Sequence, residues 1–285
     1  MEPAEYRPPQ KRQKRQCVIL SVVVLLLIFV IILTAVLLTQ FRGSESGGAL
    51  GQRTETLKET FMDRCGKFKG YDCEKVWAAF QKAYVGKDPC KVPMEAYNPL
   101  IAAAPFKPTC NRMMFWSKTK DVVHDFTAKK DCFVTLEDTL VGSVLNDLTW
   151  CGKEGSSETF TSNCPGWTTC DNNPVRSFWN SVSTAFAEVA CGDTTAMLNG
   201  SIPTPFSPTS IFGSIEVKKF TSKRMTSLNV VLVTQDKSVS NCKSASLKNL
   251  EKELDGGIKY NCKEVSEAQI KACSSNPQVS CGACW

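Results

Sequence analysis

The chain has 285 residues, 42% hydrophobic and 22% charged, which allows one large domain or two small ones and excludes general disorder. Its net charge is +6, half of it from an N-terminal tail where Arg7, Lys11, Arg12, Lys14 and Arg15 outweigh Glu2 and Glu5, so the rest is too mild to argue for nucleic acid. Fifteen cysteines point to an oxidising compartment, while one histidine and no Gly-x-Ser-x-Gly argue against a Ser-His-Asp hydrolase.

Residues 1–16 are polar, basic and proline-containing and read as a cytoplasmic tail. Val18 to Leu38 carries no charge, and as a helix it spans about 30 Å, the thickness of a bilayer core. A cleaved signal peptide is the alternative, but the run is too long and lacks a clear small-residue cleavage site. The positive charges precede it, so the N-terminus stays inside and the remainder lies outside the cell, a type II signal anchor. Cys17 sits at the membrane edge, where palmitoylation is weakly signalled. Residues 43–52, rich in Gly and Ser, read as a stalk.

A helix is expected from Asp72, with Val76, Trp77, Phe80 and Tyr84 on one side. Residues 86–111 hold five prolines and read as loop. Arg112 to Ser117 reads as a strand, and Asp121 to Lys129 as a helix carrying the single histidine, His124. Thr135 to Trp150 follows as a helix: Thr135 and Asp138 suggest a capping box, and Leu136, Leu140, Val144 and Leu148 share a face. Glu137 and Asp138 in its first turn either complement the helix dipole or stand at the mouth of a pocket as a carboxylate pair.

Asn173 and Pro174 open a further helix, with Phe178, Val182, Ala185, Phe186 and Val189 as its apolar stripe. Trp179 and Ser183 stack on the flank of that stripe, where a pocket wall would be built. Asn199-Gly-Ser is an N-glycosylation acceptor motif. Three prolines mark 201–210 as loop; Ile211 to Phe220 and Leu228 to Thr234 read as strands, Ser246 to Asp255 as a helix and Ile258 to Cys262 as a strand. Strands alternating with helices toward the C-terminus suggest a small parallel sheet.

The chemistry must come from carboxylates and aromatics. There is no Walker loop and no Gly-x-Gly-x-x-Gly, and Cys281-Gly-Ala-Cys284, though spaced like a redox or zinc motif, has no second pair. Glu216, in the expected strand with Phe212, Ser214 and Lys218 on its face, is either a solvent-facing edge residue or a lone acid beside Gly213, which lets a ligand approach.

The segments FWSK (115–118), TLEDTL (135–140), LTWCG (148–152), NNPVRSFW (172–179), FAEVAC (186–191), MLNGS (197–201) and FGSIEV (212–217) together resemble the ADP-ribosyl cyclase / cyclic ADP-ribose hydrolase family across roughly residues 60–285. The type II arrangement is similar to that of the family's vertebrate leukocyte-surface branch. The resemblance implies an α/β (α+β) fold. A helical subdomain at about 61–110 and 135–190 faces a sheet subdomain at about 111–134 and 191–285, whose small, mostly parallel four-stranded sheet is flanked by helices, with a cleft between the two. Before it come the tail (1–16), the anchor (17–39) and the stalk (40–60).

It also implies cleavage of the nicotinamide–ribose bond of NAD, giving ADP-ribose and cyclic ADP-ribose, with cyclic ADP-ribose hydrolysis and base exchange on NADP. NAD and NADP are substrates, and no cofactor or metal is required. Glu216 is implied as the catalytic carboxylate. Glu137 would bias water attack against ring closure and, with Asp138, bind the nicotinamide amide. Trp116 and Trp179 would wall the cleft, and Ser117, Lys118, Ser183, Phe212 and Gly213 would line the phosphate and ribose region. Asn146 is implied among the substrate-binding residues as well, and three positions depart from the leukocyte enzymes: Asn146 replaces Asp, Ile211 replaces Thr, and Lys118 stands where some have Arg.

Family pairing implies the bridges Cys65–Cys73, Cys90–Cys170, Cys110–Cys191, Cys151–Cys164, Cys242–Cys262 and Cys273–Cys281. Cys132 and Cys284 are left to pair with each other, bridge to another chain, or stay free. A plasma-membrane enzyme with an external catalytic domain results; a homodimer or surface partner stays open. The rival readings are a catalytically weak receptor or adhesion glycoprotein on the same scaffold, and an O-glycoside hydrolase using Glu137 and Glu216 as its pair.

Overall fold

The computed structural model describes residues 56–107, 110–235 and 237–285. The tail, Cys17, the apolar run at 18–38 and the stalk up to residue 55 lie outside the described residues. Among the described residues no helix is long and apolar enough to cross a membrane. Residues 56–66 are helical (α1), and their Leu57 and Phe61 are buried, so the folded part begins inside the span expected as stalk.

Helix α2 (Cys73–Tyr84) starts where Asp72 accepts the Lys75 N–H at 3.2 Å, and it buries the four expected aromatic and aliphatic residues. The proline-rich stretch after it is not all loop. It holds a 3₁₀ turn (Met94–Tyr97) and α3 (Asn98–Ala103), with Pro99 in the first turn, where a missing donor costs nothing. β1 (Met114–Ser117) and α4 (Lys120–Lys129) match their expected spans closely.

The expected helix at 135–150 is broken. A 3₁₀ turn (Leu136–Asp138) leads to Thr139, whose backbone is extended, and a short α5 (Leu140–Leu145) follows. The cause is local competition by Thr139: its hydroxyl donates to the Leu136 carbonyl at 2.6 Å and accepts the Gly142 N–H at 3.3 Å, restarting the helix. Gly142 is required there, since a Cβ would strike the Leu136 carbonyl.

α6 (Pro174–Glu188) begins as expected, Asn173 Oδ1 accepting the Arg176 N–H at 2.9 Å. β2 (Gly192–Asn199), β3 (Met225–Thr234) and β4 (Lys259–Ser266) complete a four-stranded sheet of order β1-β2-β3-β4, parallel at every pairing. α7 (Ala245–Glu253) connects β3 to β4, and α8 (Glu267–Ser274) follows β4.

Ile211 to Phe220, read as a strand, is helical instead: a wide π-type turn at Phe212–Glu216 runs into a 3₁₀ turn at Val217–Lys219. Ser210 initiates it, its Oγ accepting the Gly213 N–H at 3.1 Å, while the Ser214 N–H donates to the Ser210 carbonyl at 2.8 Å. The strand that sequence reasoning missed is β2, buried along most of its length.

Alternation sorts the sheet's two faces. Phe115, Ala196, Leu198, Val230 and Leu232 join the core of α1, α2 and α6; Met114, Met197, Val231 and Val233 meet α4, α8 and the C-terminal segment. Helical part and sheet therefore share the first of these two cores, while the second lies on the sheet's far face. At 25 cal/mol per Å², each fully buried Leu or Phe contributes about 2 kcal/mol to it.

Five of the six expected bridges are present. The C-terminal pairing is corrected: Cys132 bonds Cys281, and Cys273 bonds Cys284. The reason is how the last residues return over α4. Trp285 packs on Phe126 and Phe133 with ring centroids 5.1 and 5.6 Å away, and Lys130 Nζ donates to the Val279 carbonyl at 2.8 Å. Cys281 thus meets Cys132 just beyond α4, and the turn at Cys281–Ala283 carries Cys284 round to Cys273 on α8.

Candidate active site

A cleft of about 730 Å³ opens outside the carboxyl end of β1, lined from four directions. β1 and its following turn supply Trp116, Ser117, Lys118 and, at the start of α4, Lys120; the broken 136–149 segment supplies Glu137, Asn146 and Asp147. α6 contributes Arg176, Trp179, Asn180 and Ser183, and the 207–216 segment contributes Thr209, Ser210, Phe212, Ser214 and Glu216. Ligand clefts of parallel sheets belong at this end of the strands.

Glu216 is 7% exposed. Burial pushes its carboxyl up to about 8, opposed by a hydrogen bond from Ser183 and reinforced by the charge of Glu137. The π-type turn aims it. Gly213 packs so tightly on the Ser207 carbonyl that a Cβ would collide with it, and Phe212, 1% exposed, anchors the turn against Phe115 and Phe206.

Trp116 is half-buried, and its indole N–H donates to Glu137 Oε2 at 3.1 Å, which ties β1 to the 3₁₀ turn. Its other neighbour is His124, at a ring distance of 5.5 Å, edge to face. Trp179 rests edge-on against Phe178, 5.0 Å away, leaving part of the indole open to the cleft. The start of α6 is fixed by a relay from the core: Trp150 Nε1 donates to the Tyr97 hydroxyl at 3.0 Å, which donates to the Pro174 carbonyl at 2.9 Å.

The cleft brings together most of the expected residues: Trp116, Ser117, Lys118, Glu137, Asn146, Trp179, Ser183, Phe212 and Glu216. Two it does not. Asp138 is exposed and faces back toward its own turn, where one oxygen accepts the Thr135 N–H at 2.9 Å and the Thr135 hydroxyl at 2.8 Å. Gly213 lies behind the wall, its N–H engaged by Ser210. Asn199, the glycan acceptor of the motif, is 8% exposed, and its amide nitrogen donates to the Lys118 carbonyl at 3.0 Å.

Arg176, Asn180, Thr209, Ser210 and the Lys120–Asp147 ion pair were not foreseen at the site. Arg176 and Asn180 had a legible signal, since with Trp179 and Ser183 they fall at helical spacing on one flank of α6. Lys120 and Asp147 had none: their meeting depends on left-handed backbone at Lys118 and Asp147, φ 59° at both.

The model of the family described as ADP-ribosyl cyclase matches residues 54–282. The rat ADP-ribosyl cyclase/cyclic ADP-ribose hydrolase 1 is 38% identical over 187 residues, 65% of this chain and 62% of that protein. Porcine CD38 in complex with a covalent intermediate, ribo-F-ribose-5′-phosphate, superposes with a TM-score of 0.70 at 35% identity, covering 74% of this chain and 96% of that one. Aplysia cyclase complexed with substrate NGD and product cGDPR gives a TM-score of 0.71 at 30% identity, covering 80% of this chain and 96% of that one. Sequence, fold and cleft agree: the chain belongs to the ADP-ribosyl cyclase family.

Proposed function

We propose that the chain is an NAD glycohydrolase and ADP-ribosyl cyclase that cleaves the nicotinamide–ribose bond of NAD, with Glu216 as the carboxylate that stabilises the ribosyl cation or traps it covalently. The observation that carries this reading is a lone buried carboxylate in a cleft walled by two half-open indoles. The relatives' names and the porcine and Aplysia complexes support it.

The leaving nicotinamide is already a pyridinium cation, so no general acid is needed to expel it. The demand is for negative charge beside a developing oxocarbenium ion in a site that excludes water. The same burial that raises the Glu216 pKa makes its charge effective once a cationic ring arrives, because little solvent screens the pair. Trp179 and Trp116 offer faces for the nicotinamide and ribose, and Glu137, held by the Trp116 indole, offers an acceptor to the nicotinamide amide. Lys118, a cation on the cleft lining, and the Ser117 hydroxyl beside it would bind the diphosphate. Water or adenine N1 then captures the intermediate, giving ADP-ribose or cyclic ADP-ribose, and nicotinic acid would give base exchange on NADP. The uncharged run at 18–38 and the disulfide-rich fold support a type II anchor with this unit outside the cell.

The test is chromatography of products from NAD incubated with the purified chain. Nicotinamide, ADP-ribose and cyclic ADP-ribose are expected, and Glu216→Gln should release no nicotinamide while remaining folded. Near-normal turnover by that variant would remove Glu216 from the mechanism. An inactive wild type would favour the receptor reading.

A further inference from the structure

The cleft has a support that reaches it from the first helix. Arg64, half-buried in α1, donates from Nη1 to the carbonyl oxygens of Ser143 at 3.1 Å and Asn146 at 2.7 Å. Both carbonyls lie at the carboxyl end of α5, a helix of six residues that has few internal donors for its last turn. Beyond it the chain turns sharply: Asn146 leaves the helical region with ψ 133°, and Asp147 is left-handed. A non-glycine residue in that region costs roughly 1–2 kcal/mol and persists only where neighbours hold it.

Arg64 is well placed to hold it. Cys65 beside it is bonded to Cys73, and Phe61 one turn earlier packs edge-on against Trp77 at 5.1 Å, so α1 is a fixed base. A planar guanidinium on that base fixes a carbonyl more rigidly than a flexible ammonium would. The corner it braces presents Asn146 and Asp147 to the cleft, and Asp147 in turn pairs with Lys120 on the opposite rim.

We propose that Arg64 is a positioning residue: by clamping the Ser143 and Asn146 carbonyls it sets where Asn146, an amide on the cleft lining able to donate to and accept from water or adenine, stands, and so which of the two reaches the ribosyl intermediate. This rests on the function proposed above. Arg64 itself touches no substrate.

The experiment uses the full chain, with NAD as substrate, and reads the ratio of cyclic ADP-ribose to ADP-ribose beside KM and kcat for nicotinamide release. Arg64→Met keeps the length and removes the donors; it should change the product ratio by about three- to tenfold while kcat for nicotinamide release stays within about threefold. Arg64→Lys should shift the ratio in the same direction by less. In an Asn146→Ala background neither substitution should move it. Lys58→Met, which breaks the α1 ion pair to Glu74 away from the cleft, should leave it at the wild-type value.

A folded Arg64→Met with the wild-type ratio overturns the proposal. So does an effect that survives in the Asn146→Ala background, or an equal effect of Lys58→Met. If Arg64→Met does not fold, a wild-type ratio from Arg64→Lys overturns it. A wild-type chain that releases no nicotinamide overturns the proposed function instead, which separates the two failures.

Discussion

At the scale of single residues, Glu216 sets stability against use. In the unfolded chain its carboxyl would titrate near 4.5, and in the folded chain burial moves it to about 8. Between those values the native state holds a proton the unfolded state has lost, so this group's contribution to stability is greatest below pH 4.5 and falls as pH rises toward 8. Glu216→Gln cannot ionise, and above pH 8 it should be more stable than wild type by a few kcal/mol, with a higher Tm by calorimetry. The sign for activity is opposite. If the ionised carboxylate is the working form, kcat/KM for NAD should rise with pH toward about 8. A variant no more stable than wild type at pH 9, or a flat kcat/KM profile across this range, would place Glu216 in a wetter setting than the cleft shows.

At the scale of elements, the decisive piece is the turn that carries this acid. Gly213→Ala would drive a Cβ into the Ser207 carbonyl, which is backbone and cannot swing aside. The turn must move, taking Glu216 with it, so nicotinamide release should fall at least tenfold with a stability loss of about 1–3 kcal/mol. Wild-type turnover from this variant would show that the turn does not set the acid. Sequence reading mistook the element because a short apolar run bounded by turn-formers fits strand and helix equally. The disambiguating signal was Ser210, whose hydroxyl opens the turn. The starts of α2 and α6 were legible to within a residue because a capping side chain and an apolar stripe coincide there. β2 was passed over, although Ala196, Met197 and Leu198 are buried, because its early polar residues Asp193, Thr194 and Thr195 hide the run. The residues of the cleft were legible chiefly through resemblance. Periodicity placed Trp179 and Ser183 on a flank but could not bring them to Glu216, which is a matter of tertiary packing.

At the scale of the whole molecule, the C-terminal segment acts as a strap across the far face of the sheet. Cys132–Cys281 closes the longest loop of any bridge in the described residues, 149 positions, and Cys273–Cys284 ties the strap to α8. Long loops restrict the unfolded chain most, so removing the first bridge should cost roughly 2–5 kcal/mol. The strap lies over α4, the helix that brings His124 against Trp116 and Lys120 to the cleft rim. Cys132→Ala combined with Cys281→Ala should therefore lower Tm by several degrees and raise KM for NAD, while leaving Glu216, held by the other core, able to turn over bound substrate. Peptide mapping of the wild type without reduction provides the prior check. Fragments joining Cys132 to Cys281 and Cys273 to Cys284 are expected. A fragment joining Cys273 to Cys281 would mean the strap crosses α4 by another path, and its predicted hold on the cleft would fall with it.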